Sequence, residues 1–252
     1  MSRPKTALFA TCLINSFRPQ IGFAAVRLLE KAGCEVLVPP QTCCGQPAYN
    51  EGSEKDSIAL ARNVIHAFSN FDFVVTPSAS CAGMIKNHYP KLFAKDAEWA
   101  LRAQALSEKT HELFSFLVNV RGQTSVATKC ERKAVYHDSC SSLREVKCAR
   151  EARTLLGSVE GLDIVDMPDT EVCCGFGGLF SVKYPEISVR MADDKIANAG
   201  KTGADLLIGP DLGCLLHLAG RLSRKGKTIE LRHAAEVLAG MMDEPALGGD
   251  RS

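Results

Sequence analysis

No apolar run in this 252-residue sequence approaches the roughly 18–20 residues needed to cross a bilayer, because the most hydrophobic segments are soon interrupted by Gly, Pro, Asp or Arg. A membrane span is therefore not expected. Neither sign of charge predominates: 30 Lys and Arg against 29 Asp and Glu leave a net charge of +1, with no long run of one sign. Such a surface is poorly suited to neutralising a phosphate backbone, so nucleic acid is not expected as a partner. Aromatic residues make up only 6 % of the chain. Phe9, Phe23, Phe68, Phe71 and Phe73 fall at core positions of strands or helices and call for no cofactor. The start MSRPKTALFATCLINSFRP places Arg3 and Lys5 before a short apolar run. It lacks a small-residue cleavage site, so it reads as a first strand and the expected location is cytoplasmic. A complete G-x-G-x-x-G is also missing, since Gly175 to Gly178 supplies only G-x-G-G, and no nicotinamide or flavin site is expected.

What the chain does have is cysteine, eleven in all. That is well short of the roughly 8–10 % that marks a disulfide scaffold, and clustered cysteines in a reducing compartment serve more often as metal ligands or redox groups. Eight of them repeat. Cys12 is followed after 31 residues by Cys43-Cys44-Gly45 and, 37 after Cys44, by Cys81. Cys140 is followed after 33 residues by Cys173-Cys174-Gly175 and, 40 after Cys174, by Cys214. The offset between the two runs is 128, 130 and 133 residues, which points to two tandem copies of one unit, residues 1–128 and 129–252.

Hydrophobic patterning gives the same repeat independently. Strands are expected at 5–11, 34–38 and 71–76 and again at 133–137, 162–166 and 204–208. Between them lie helices at 18–32, 54–69, 148–157 and 184–199, and the segments 94–120 and 228–240 read as helical closures of each half. Short apolar strands alternating with helices indicate an α/β fold of two pseudo-symmetric βαβ repeats with parallel sheets. Every repeated cysteine then falls just beyond the carboxyl end of a strand, the edge of a parallel sheet at which ligands bind. Gly45, Gly175, Gly177 and Gly178 would let the backbone approach a bound group closely there.

Four thiolates per half suit zinc or an iron–sulfur cluster. Zinc sites usually draw on pairs separated by two to four residues, whereas adjacent side chains in extended backbone diverge, so a vicinal pair more naturally reaches two metal atoms. An iron–sulfur cluster is accordingly the expected group, held by Cys12, Cys43, Cys44 and Cys81 in one half and by Cys140, Cys173, Cys174 and Cys214 in the other. A thiol–disulfide enzyme cycling the vicinal pairs and a structural zinc scaffold are the alternatives.

The segments TCCGQPAYNEG (42–52), PSASCAGMIK (77–86), YHDSCSSLRE (136–145), CCGFGGLFSVKYPEIS (173–188) and CLLHLAG (214–220) resemble the CCG domains found in the cysteine-rich subunit of heterodisulfide reductase and in the glycolate oxidase iron–sulfur subunit, and more closely the lactate utilization protein A family. The resemblance implies an electron-transfer subunit that acts with two further subunits in oxidising L-lactate to pyruvate, rather than a stand-alone enzyme. It also exposes a departure. The heterodisulfide reductase polypeptide has five cysteines per half, and here there are four. If Cys81 and Cys214 match its final cysteine, Ser78 and Asp211 stand at the missing position; if they match the one before, Met84 and His217 do. Four thiolates suffice for an ordinary [4Fe-4S] cluster, one or two per chain.

The remaining candidates have plainer readings. Cys34 reads as a small buried hydrophobe, Cys148 as a surface or core residue, and Cys130, in the basic stretch TKCERK, as an exposed thiol. His137 reads as a strand-end histidine bonded to Asp138 and shaping the cluster loop, and His217 as a satisfied helix residue.

Overall fold

A computed structural model describes residues 3–248. The chain forms two compact units, Met1–Gly122 and Gln123–Ser252. Each is built on a four-stranded, all-parallel sheet. In the first unit the strands are β1 (Lys5–Leu8), β2 (Glu35–Leu37), β3 (Phe73–Thr76) and β4 (Thr110–Glu112), in the order β2-β1-β3-β4. The second unit repeats this with β5 (Lys129–Tyr136), β6 (Glu160–Val165), β7 (Leu206–Gly209) and β8 (Glu230–His233), in the order β6-β5-β7-β8.

The central strands read as short apolar runs because helices cover both of their faces: Ala7, Val74, Val75, Ala134, Val135 and Leu207 are all fully buried. In each unit the chain leaves the first strand to one side and returns to the other. A topological switch point therefore lies between β1 and β3, and another between β5 and β7, at the carboxyl ends of those strands.

The helix Pro19–Lys31 packs its apolar stripe of Ile21, Ala24, Ala25, Leu28 and Leu29 inward. Phe23 lies off that stripe and is 63 % exposed, contrary to its reading as a core residue, whereas Phe9 and Phe68 are fully buried with ring centroids 5.4 Å apart. The fourth strand of each sheet was not legible as a strand. β4 and β8 sit inside the segments 94–120 and 228–240 that pattern as helix. The three residues Thr110, His111 and Glu112 pair with Val74, Val75 and Thr76, and Glu230 to His233 pair with Leu206 to Gly209. Pieces this short and polar have no period of their own, and it is the neighbouring strand that makes them β.

The turn that carries each vicinal cysteine pair depends on a left-handed glycine. Gly45 (φ +85°) starts the helix Gln46–Glu51, and Gly175 (φ +88°) turns the chain towards the helix Pro185–Lys201. A β-carbon at Gly175 would lie 2.5 Å from the Ser188 carbonyl oxygen, itself fixed because the Ser188 hydroxyl donates to the Gly175 carbonyl at 2.7 Å. At Gly45 the nearest atom, on the Leu60 side chain, is 3.4 Å away. Both substitutions to alanine carry the left-handed penalty of about 1–2 kcal/mol, and only Gly175→Ala adds a backbone clash. Urea unfolding is expected to show Gly175→Ala losing clearly more stability than Gly45→Ala; equal losses would mean that the second turn relaxes freely.

Candidate metal centre

Each repeated cysteine stands a few residues beyond the carboxyl end of its strand: Cys12 after β1, Cys43 and Cys44 after β2, Cys81 after β3, and likewise Cys140, Cys173, Cys174 and Cys214 after β5, β6 and β7. The local chain explains the placement. Thr11, at φ +60°, caps the helix Cys12–Phe17 by accepting from the Ile14 N–H, and Ser78 caps the helix Ala79–Gly83 by accepting from the Cys81 N–H. In the second unit the Ser139 hydroxyl accepts from the Ser142 N–H at 3.1 Å and donates to Asp211 at 2.5 Å, tying the end of β5 to the end of β7.

The sulfurs of the first unit form a continuous chain of contacts, Cys12 to Cys43, Cys43 to Cys44 and Cys44 to Cys81, the last at 3.4 Å. Those of the second unit repeat it, Cys140 to Cys173 to Cys174 to Cys214. The vicinal side chains thus do not diverge as extended backbone would have them, because each pair lies in the turn before its left-handed glycine and both members reach the same rim. All eight cysteines are free thiols. Their exposure is graded in both units: Cys43 and Cys173 are half-buried, while Cys44, Cys81, Cys174 and Cys214 are buried. Cys12 is exposed and its counterpart Cys140 half-buried.

Electrostatics select one thiolate at the centre of each quartet. Hydrogen bonds from Cys12 and Cys44, with a further one from the Gly45 N–H at 3.4 Å, bring the Cys43 thiol down to about 2. Cys140, Cys174 and the Gly175 N–H do the same for Cys173, also to about 2. The donors are pushed the other way: Cys12 and Cys140 rise far above the ordinary thiol range because each gives its hydrogen to that thiolate and is partly buried, and Cys44 and Cys174 rise for the same reasons. Cys214 is lowered to about 7 by its hydrogen bond from Cys174, with His137 acting in the same direction against burial. Four thiols in contact cannot all ionise without a cation, since two unit charges 4 Å apart repel by about 4 kcal/mol even at an effective dielectric of 20. A soft cationic centre that takes four thiolates suits each quartet, and zinc and iron–sulfur clusters are of this kind.

Among the other residues singled out, Gly45 and Gly175 direct their N–H groups at sulfur, and the Phe176 N–H reaches Cys174 Sγ at 3.5 Å. Gly177 and Gly178 shape the following turn, their carbonyls accepting from the Phe180 N–H and the Ser181 hydroxyl. Of the candidates for a fifth position, Met84 packs in the apolar core, while a ring nitrogen of His217 lies 3.1 Å from the Ser188 hydroxyl, and Ser78 is the helix cap. Asp211 lies near enough to Cys140 for its charge to raise that thiol. Cys34 and Cys148 are buried, and so is Cys130, on β5, contrary to its reading as an exposed thiol.

His137 departs from its sequence reading. Asp138 pairs with Arg153 at 2.7 Å rather than with the histidine. His137 is fully buried at the end of β5, neither ring nitrogen has a well-formed hydrogen bond, and a ring nitrogen lies with the Cys174 and Cys214 sulfurs in a group no more than 4.8 Å across. The signal was present in the repeat: His137 precedes Cys140 by three residues, as Phe9 precedes Cys12.

Comparison with known proteins agrees with the internal repeat. Residues 6–86 and 134–219 each match the CCG cysteine-rich domain family. Lactate utilization protein A 2 of Bacillus cereus (strain 03BB102) is 47 % identical over 236 residues, 93 % of this chain and 98 % of that protein. Lactate utilization protein A of Geobacillus sp. (strain WCH70) is 48 % identical over 235 residues, with the same coverage. Among solved structures, a hypothetical protein from Helicobacter pylori matches 97 % of this chain at a TM-score of 0.66 and 14 % identity, a likeness of fold, and the chain spans about half of that protein's length (51 %). With its cysteine-rich domain present twice and near-complete alignment to these relatives, the chain belongs to the lactate utilization protein A family.

Proposed function

We propose that this protein is an iron–sulfur electron-transfer subunit of a multi-subunit complex that oxidises L-lactate to pyruvate. The observation that carries the reading is the twofold recurrence of one arrangement: four contacting sulfurs at a sheet edge, one of them accepting a backbone N–H from the glycine that follows the vicinal pair. Lactate enters through the names of the relatives, and the two partner subunits through the family resemblance. Cys12, Cys43, Cys44 and Cys81 would hold one [4Fe-4S] cluster, and Cys140, Cys173, Cys174 and Cys214 a second. Such a cluster supplies, when bound, a carrier for single electrons.

The chain's own groups set the conditions. Cys43 and Cys173 would hold such a group as ready thiolates, and the neighbouring cysteines would have to lose their protons to join them as ligands. The N–H groups of Gly45 and Gly175 favour negative charge on sulfur, while Gly177 and Gly178 keep the second turn compact. Burial of Cys44 and Cys81 among Phe9, Met84, Ile85 and Tyr89 keeps water from the inner side of the first quartet, while exposed Cys12 leaves its outer edge open to an approaching partner. The two-electron removal from a hydroxy acid falls to a partner that carries an organic cofactor.

One observation favours a second reading for the second unit alone. The group of His137, Cys174 and Cys214 would also suit a single zinc ion, which takes thiolate and imidazole together. Metal analysis separates the two. Protein purified without oxygen is expected to be brown and to contain iron and acid-labile sulfide, and Cys44→Ser and Cys174→Ser are each expected to remove about half of both, one quartet apiece. A colourless, zinc-loaded product would overturn the cluster assignment.

The metal-free form gives a separate check on the thiolates. Ordinary cysteine loses reactivity about tenfold per pH unit below its pKa of about 8.5. Because Cys43 and Cys173 are lowered to about 2, they stay ionised as the pH falls. After chelation, iodoacetamide at pH 5 followed by peptide mass spectrometry is expected to label these two ahead of the other nine cysteines. Uniform labelling would count against a preformed thiolate in each quartet.

A further inference from the structure

The two quartets repeat each other closely in their sulfurs but not in the residue beneath them. Phe9 and His137 occupy the same place: each is the first residue beyond the central strand, three before the first cysteine of its run. Each also donates its backbone N–H across the switch point at 2.8 Å, Phe9 to the Val75 carbonyl and His137 to the Ile208 carbonyl. Phe9 packs its ring against Phe68 and needs nothing further. His137 is just as completely buried and carries two polar nitrogens, neither with a well-formed hydrogen bond. A buried imidazole without a well-formed hydrogen bond is costly to keep, so a fold that retains one there has a use for it. The nearby groups offered to a ring nitrogen are the sulfurs of Cys174 and Cys214.

We propose that His137 makes the two centres unequal by donating a ring N–H to the thiolate sulfurs of the second quartet, which raises the reduction potential of the group held there. The inference rests on the cluster reading above. Four cysteines already supply a full ligand set, so the imidazole is left as a positioning and tuning residue. An N–H aimed at sulfur stabilises the more negative, reduced state over the oxidised one, which is why hydrogen bonds to sulfur set iron–sulfur potentials. The first quartet has a phenyl ring at that place and receives no such bond. Asp211, near Cys140, acts in the opposite sense, and its counterpart in the first unit is the uncharged Ser78. The second centre is thus set by a pair of opposed polar groups where the first has neither.

The test is redox potentiometry of the full-length protein prepared without oxygen, followed by EPR, with iron and sulfide measured on each sample. His137→Phe, which installs the first unit's residue, is expected to shift one midpoint to more negative potential and leave the other in place, with iron and sulfide unchanged. His137→Gln, which restores an N–H donor, is expected to return part of the shift. If His137→Phe fails to fold, as circular dichroism would report, the comparison of His137→Gln with the reciprocal Phe9→His decides: the latter is expected to raise the other midpoint. Full iron with unmoved midpoints would overturn this proposal and leave the cluster reading intact. Loss of half the iron in folded His137→Phe, or a strong nitrogen hyperfine coupling in the wild type, would overturn it by making the imidazole a ligand. A wild type without iron would overturn both.

Discussion

The constraint on which this structure depends is the repulsion among sulfurs crowded at one edge of a parallel sheet. Each unit brings four thiols into a chain of contacts in which the middle sulfur, Cys43 or Cys173, is favoured as a thiolate and the cysteines bonded to it are held protonated. Such an arrangement is costly to ionise further and ready to exchange protons for metal. The sheet supplies the crowding, because strands that run the same way end at the same rim, and the switch point between β1 and β3, or β5 and β7, lies on that rim. The left-handed glycine after each vicinal pair lets both sulfurs turn towards that rim.

Repetition within one chain gives the molecule an internal control. Features common to both units, such as the left-handed glycine, its N–H directed at sulfur and the inward burial of the last two cysteines, are those that the shared chemistry of a quartet requires. Features that differ belong to one centre. The second unit replaces a phenyl ring with an imidazole at the strand end and a serine cap with an aspartate bonded to Ser139, so its sulfurs lie in a more polar setting. The chain thus carries two like quartets of sulfurs in unlike surroundings.

Much of this was legible in the amino-acid order. The spacing of Cys12, Cys43, Cys44 and Cys81 and its recurrence at Cys140, Cys173, Cys174 and Cys214 revealed the duplication, and the mainly apolar runs KTAL, FVVT and LLIG marked three of the central strands, because a strand covered on both faces is mostly apolar. The edge strands β4 and β8 were not legible. Their short polar segments carry no period, and only the carbonyls and amides of β3 and β7 make them strands. Phe23 was misplaced for a related reason: helical spacing gives the stripe but does not compel each apolar residue to lie on it.

The sequence alone determined which atoms are available for chemistry, eight thiols in two matched sets on an α/β framework, because residue type and spacing survive translation into strand ends. Tertiary structure decided what those atoms meet. It turned the vicinal pairs towards one rim instead of apart, sent Asp138 to Arg153, buried Cys130, and left His137 facing Cys174 and Cys214. Those outcomes depend on contacts between residues up to about 77 positions apart, which local propensity does not encode and packing does.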